Sequence, residues 1–221
     1  MDHQETRIRP YQPSDLDDLY RICLLTGRNG QDATSLHGDP RLLGHVYAAP
    51  YGLFEPSLAF MAEDAAGVGG YVLGAFDSQA FEQRLERDWW PGLRLRYPEP
   101  SGVPEHRRTP DQRIAHRIHH PWPAPGELAD RYPSHLHIDL VPRLQAQGNG
   151  SRMIRTLLGA LRARGSPGVH LHVHASNRKA VGFYRHFGFA ELSAAPDAYV
   201  FGMDLRGDAG PGTARSAAEH G

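Results

Sequence analysis

The run Gln145-Ala146-Gln147-Gly148-Asn149-Gly150-Ser151 carries the first chemical signal in this 221-residue chain. Before it, His135 to Val141 alternates polar and apolar residues and ends at Pro142, the pattern of a strand. After it, Met153, Ile154, Leu157, Leu158 and Leu161 recur at helical spacing, which predicts a helix from Ser151 to Arg164. A strand, a glycine turn and a helix start place a row of free backbone N–H groups at the positive end of a helix. That arrangement suits a phosphate or pyrophosphate. Gly148 and Gly150 let the backbone approach such an anion with no Cβ in the way. The spacing excludes a Rossmann loop, which needs Gly-x-Gly-x-x-Gly and an acidic residue ending the next strand. It also excludes a Walker loop, since no Gly-Lys-Ser/Thr follows.

The signal continues downstream. Val169-His170-Leu171-His172-Val173 alternates as a second strand, and Asn177-Arg178-Lys179-Ala180-Val181-Gly182-Phe183-Tyr184 leads into Phe187-Gly188-Phe189. The ordered set, strand, Gln-x-x-Gly-x-Gly, helix, strand, Asn-x-x-Ala-x-x-Phe-Tyr-x-x-x-Gly-Phe, resembles the GNAT N-acetyltransferase superfamily. Gly69 to Asp77, the tryptophan-bearing stretch after it, Tyr132 to Asp139 and Val181 to Gly188 are similar to bacterial GNAT proteins related to the C-terminal acetyltransferase-like domain of O-GlcNAcase. In the animal domain the glycine loop is eroded. Here it is intact, which favours a working cofactor site.

The resemblance implies an α/β (α+β) GNAT fold. Its mixed central sheet has about six or seven strands, a splayed parallel pair and helices on both faces. It implies acetyl-CoA as cofactor, with the strand before the loop bulged and parted from its parallel neighbour so that the pantetheine arm fills the gap. Leu140 and Val141 are then expected to offer main-chain contacts, the Leu140 N–H facing the thioester carbonyl. Backbone amides from Gln145 through Ala146, Gln147, Gly148, Asn149, Gly150 and Ser151 are expected to hold the pyrophosphate. Asn177 and Phe183 fall where the family contacts the cofactor's arm. Tyr184 matches the tyrosine that protonates the leaving thiolate.

The attacking amine must be neutral, yet a lysine-like amine has a pKa of about 10.4 in water, so some group must take its proton. Alternation puts His135, His137 and Asp139 on one face of their strand and Leu136, Ile138 and Leu140 on the other. Asp139 has the first claim as base, His137 the second and Asp77, ending an upstream hairpin strand, the third. His170, His172 and His174 alternate likewise, but lack the further ligand pattern of a zinc hydrolase, and no metal is expected. Cys23 falls on the apolar stripe of the first helix with Leu16, Leu19 and Tyr20, which argues for a core thiol and direct transfer rather than a covalent acetyl carrier. The alternative function is a catalytically silent binding module that recognises a protein or glycan in the same cleft.

The elements that must position these groups form one acetyltransferase domain over residues 1–206. Thr6 to Arg9 reads as a strand, Ser14 or Asp15 caps a helix through Cys23, and Leu58 to Glu63 with Tyr71 to Phe76 forms a hairpin. Residues 78–134 break the rhythm and read as an inserted lid or substrate segment. They contain helices from Gln79 to Trp90 and after Thr109-Pro110, plus a basic stretch from Arg107 to His120 that reads as a solvated face. Tyr199 to Leu205 closes the sheet, and 207–221 has the composition of a disordered tail.

With 24 basic and 25 acidic residues, no global field draws the chain to nucleic acid or membrane. A single cysteine, no apolar run of membrane length and no signal-peptide pattern fit a cytoplasmic protein, and the arginine- and alanine-rich, lysine-poor usage fits a bacterial one. Expected partners are acetyl-CoA and an amine acceptor: a protein lysine, an amino sugar or a small amine.

Overall fold

Seven strands share one sheet: β1 (Arg7–Pro10), β2 (Ala59–Asp64), β3 (Gly67–Ala75), β4 (Ser134–Leu140), β5 (Gly168–His174), β6 (Ala190–Ala194) and β7 (Ala198–Asp204). Their order is β1-β2-β3-β4-β5-β7-β6, and only β4 and β5 are parallel neighbours. The computed structural model describes residues 6–121 and 126–206, so the expected tail at 207–221 lies outside the described residues.

The sheet has a seam. β3 and β4 pair without interruption from Gly70↔Leu140 to Ala75↔His135, and β5 and β7 pair from Gly168↔Asp204 to His174↔Ala198. Between them, β4 and β5 pair only at Ser134↔Val169 and His135↔His170, then part. The bulge expected in β4 is not there. Its register with β3 is unbroken; the β2–β3 pair shifts register between Ala62 and Glu63, where Gly69 of β3 is the extra residue, and the β6–β7 pair shifts between Glu191 and Ser193. Beyond that junction each strand stays paired with its outer neighbour, and Pro142 ends β4 in a short 3₁₀ turn. Ser134, fully buried at the junction, ties it down: its Oγ donates to Phe76 O at 2.5 Å and meets Ser166 Oγ at 2.7 Å.

Helices cover both faces. α1 (Leu16–Thr26), α2 (Leu42–Tyr47) and α3 (Ala49–Phe54) come before β2, and α1 and α3 pack on β3. α4 (Ser78–Asp88), α5 (Trp90–Arg96), α6 (Pro110–His119) and α7 (Gly126–Arg131) lie between β3 and β4; α8 (Asn149–Ala163) and α9 (Arg178–Phe187) follow. α8 packs its buried Met153, Ile154, Leu157, Leu158 and Leu161 against β2, β3 and β4. A Cβ on Gly74 would sit 2.8 Å from Leu157 Cδ1, so any larger residue there would force the Leu157 side chain to shift. Gly74 pairs with Leu136, which puts the apolar face of β4 under α8 and its His135-His137-Asp139 face under α1–α3, as alternation predicts.

Three local readings change. Asp15 does not cap α1 with its side chain; it accepts from Gln12 N and binds Arg9 through two 2.7 Å contacts. The helix predicted to run to Trp90 ends at Asp88, because Pro91 opens a new one, α5. Strand β6 was not anticipated, since its largely exposed residues give no apolar period. The cap predicted at Thr109 is present as a full capping box with Gln112. Trp90 is 3 % exposed and joins Leu42, Phe81, Leu85, Leu93 and Ile118 in a second, smaller core. The indole of Trp89 donates to His45 O at 2.9 Å.

Candidate active site

The seam opens into a cavity of about 940 Å³ whose wall includes Ile138, Asp139 and Leu140 of β4 and Phe183 and Tyr184 of α9. Val141 N–H donates to Gly69 O at 2.9 Å, which fixes the ladder's parity. By that parity the main-chain groups of residues 135, 137 and 139 face β3, and those of Leu136, Ile138 and Leu140 face the β5 side. Once β5 has turned away, the N–H and C=O groups of Ile138 and Leu140 border the cavity in place of a ladder. Leu140 O accepts from Gln145 Nε2 at 2.7 Å, and Gln145 Oε1 accepts from Lys179 Nζ at 2.7 Å. Gln145 thus ties the strand end to α9 and leaves the Leu140 N–H facing open space. Val141 is different from the expectation: its N–H is spent on Gly69 and it is 5 % exposed, so it contributes no donor to the gap.

The loop has the curvature that an anion seat needs. Ala146 (φ 62°) and Gly148 (φ 76°) both take the left-handed conformation, which costs a non-glycine residue about 1 kcal/mol and turns successive N–H groups to one side. The first α8 bond, from Arg152 N to Gly148 O, leaves the N–H groups of Asn149, Gly150 and Ser151 without helical partners, and no side chain caps them. Gly148, Gly150 and Ser151 all border the cavity. A Cβ on Gly150 would sit 3.4 Å from Phe183 and 3.7 Å from Leu140, so anything larger than a methyl narrows the groove.

Two loop side chains point elsewhere. Asn149 is 2 % exposed and donates to Thr6 Oγ1 and Leu144 O, while Gln147 donates to Arg143 O at 3.1 Å. For both, only the main chain is available to a ligand. Asn177 borders the cavity and its side chain caps α9 by accepting from Ala180 N at 3.1 Å. The sequence reading missed the basic rim formed by Arg28, Arg178 and Lys179. A signal was available: two cations in the first turn of α9 oppose the helix dipole, an arrangement that calls for an anion nearby.

Asp139 comes to the same cavity with a partner the sequence did not offer. Tyr71, its register neighbour on β3, donates its O–H to Asp139 Oδ2 at 2.6 Å. His137 Nε2 lies 3.0 Å from that oxygen but off the line a hydrogen bond requires, and it makes no hydrogen bond. His137 stands behind Asp139, stacked on Tyr47, and does not border the cavity. Tyr184 does border it, and burial, then the negative charge of Asp139, pushes its phenol above the usual range. The hydroxyl therefore keeps its proton at neutral pH.

The other titratable groups are otherwise engaged. His135 is locked as a neutral ring: Ser78 Oγ donates to Pro133 O, so it accepts from His135 Nδ1, and the Tyr51 O–H then donates to Nε2, each bond being 2.7 Å. Burial and then the adjacent His170 push its pKa down to about 3. Asp77, the third candidate base, caps α4 by accepting from Ala80 N at 2.9 Å. His170 Nδ1 meets Tyr132 O, and His174 Nδ1 meets Ser176 Oγ, so the β5 imidazoles do not converge on one point.

The cavity thus combines parted parallel strands with an uncapped helix start. Residues 115–189 match the Acetyltransferase (GNAT) family model. The chain is 36 % identical to SsHAT, whose crystal structure superposes with a TM-score of 0.82 over 91 % of this chain and 98 % of that one. It is 28 % identical to the O-GlcNAcase of Rattus norvegicus over 189 residues, which is 84 % of this chain. The chain spans about a fifth of the length of the curated relatives it matches. PH1933 from Pyrococcus horikoshii OT3, 14 % identical with a TM-score of 0.58 over 90 % of this chain and 98 % of that one, shares the fold. The chain belongs to the GNAT family of acetyltransferases. Among the described residues, no helix is long and apolar enough to cross a membrane.

Proposed function

We propose that this chain is an acetyl-CoA-dependent N-acetyltransferase that moves an acetyl group to a primary amine by direct attack in a ternary complex. The observation that carries this reading is the gap beside β4. The main-chain groups of Ile138, the Leu140 N–H, the free N–H groups at the start of α8, Asp139 and Tyr184 all meet in one cavity. A pantetheine-like arm fits the gap as a substitute strand, and a pyrophosphate fits the N–H groups of Gly148 to Ser151, ringed by Arg28, Arg178 and Lys179. Acetyl-CoA, when bound, supplies an activated thioester carbonyl.

The chain's own residues do the rest. The Leu140 N–H donates to the carbonyl oxygen as charge grows there. Asp139, held by Tyr71, accepts the proton that the ammonium must lose before attack, directly or through water. Tyr184 keeps its proton until the thiolate leaves and then gives it up. Cys23 takes no acetyl group: it is 3 % exposed, and burial, then the charge of Asp139, raises its thiol pKa well above the usual range. The described residues 6–121 and 126–206 act as one unit, with α4 to α6 folded over the acceptor side. The acceptor class is a protein lysine, an amino sugar or a small amine.

The test is thermal denaturation with acetyl-CoA followed by thiol-release assays on an amine panel. A ligand at a hundred times its Kd adds about 2.7 kcal/mol. A rise in Tm with acetyl-CoA and thiol release dependent on an amine are expected. No rise at millimolar acetyl-CoA overturns the reading in favour of a silent binding module.

A further inference from the structure

The segment between β3 and β4 holds a side-chain cluster that the transfer chemistry does not use. Glu99, in the connection after α5, receives three imidazole nitrogens from the end of α6. His116 Nδ1 lies 2.6 Å from Oε1, while His120 Nε2 and His119 Nδ1 lie 3.1 and 3.6 Å from Oε2. The other ring nitrogen of His119, Nε2, meets Tyr97 O at 2.8 Å, and the His116 and His120 ring centroids are 4.3 Å apart.

The geometry of this cluster suits a single divalent cation. His116 in the last turn of α6 and His120 at its C-cap stand four residues apart with ring centroids 4.3 Å apart, close enough to reach a shared ion. The ligand atoms of Glu99, His116 and His120 all lie within 4.8 Å of one another. Ligands around a tetrahedral zinc at 2.0–2.1 Å are about 3.3 Å apart, so rotamer adjustments suffice. The cluster sits at the negative end of α6, which favours a cation. The helix end is also braced: Arg94 donates to Ile118 O, Ile118 is fully buried, and the other end of α6 carries the capping box.

We propose that Glu99, His116 and His120 form a binding site for one zinc-class divalent cation, with the fourth position left to water. The ion clips the chain after α5 to the end of α6. The site is remote in sequence from the proposed transfer residues and does not depend on that reading.

The experiment uses the untagged full chain, stripped with chelator, and titrates it with zinc chloride at pH 7.5 by calorimetry, with metal analysis after desalting. One zinc per chain is expected, with a Tm rise of about 5 °C in excess zinc that chelator reverses. His120→Ala, at the most exposed ligand, and Glu99→Gln should each weaken binding at least about tenfold, and His116→Ala with His120→Ala should abolish the 1:1 event. Circular dichroism of each variant checks folding, and zinc affinity is read only on folded ones. Absence of saturable 1:1 binding by the wild-type chain overturns the proposal, as does unchanged affinity in His120→Ala and Glu99→Gln together.

Discussion

The two edges of β4 have opposite fates. Toward β3, every alternate residue from His135 to Val141 closes its main-chain bonds, and the register pairs Asp139 with Tyr71. Toward β5, two residue pairs suffice before the strands part. The closed edge fixes where side chains stand, and the open edge exposes main chain that would otherwise be spent on the fold. One strand thereby holds a carboxylate rigidly and offers backbone donors freely. The same residue types on two mobile loops would do neither well.

Four measurements break or sharpen that contrast. Asp139→Asn removes the base but keeps the shape and the Tyr71 bond, so turnover should fall about 100- to 1000-fold while acetyl-CoA affinity stays within about twofold. Steady-state kinetics beside equilibrium binding tell these apart, and unchanged turnover at neutral pH would remove Asp139 from the mechanism. Gly150→Phe fills the open edge: acetyl-CoA should bind on the order of 100-fold more weakly, about 2.7 kcal/mol, with circular dichroism unchanged. Wild-type affinity in that variant would mean the ligand does not pass between Phe183 and Leu140.

Ser134→Ala attacks the junction of the two edges. It strips a buried carbonyl of its donor and should cost about 1–3 kcal/mol in urea unfolding. A cost below about 0.5 kcal/mol would show that the seam does not need that hydroxyl. The last concerns His135. Its folded pKa, about 3, lies below the ordinary value near 6.5, so between those values the unfolded chain binds the extra proton. Stability is full above pH 6.5 and declines as pH falls toward 3. At pH 5 His135→Gln should have lost about 2 kcal/mol less than the wild type, relative to each at pH 7. Parallel acid limbs for the two chains would assign that decline to other groups.

Much of this arrangement could be read before any coordinates, and the reasons are local. Strand alternation, the left-handed glycine at 148 and the helical stripe of α8 are all written in consecutive residues. What escaped were features that depend on distance or competition. Tyr71 lies 68 residues from Asp139 and becomes its partner only through sheet register. Asp77 is chemically fit to be a base, but Ala80 N claims it as a cap. Asn149 sits within the anion loop, yet turns inward to bond Thr6 and Leu144. The parting of β4 from β5 was expected to come with a bulge in β4; the strands part with the β3–β4 register unbroken, which no short motif records.

That inward asparagine has a practical consequence. Through Thr6, the amide of Asn149 fastens the turn that begins α8 to the residue just ahead of β1. Disturbance at the front of the chain, such as a Thr6→Val change or a bulky fusion, should register 143 positions away. It should appear as faster deuterium uptake at Gly148 and Gly150, well before the sheet itself loosens.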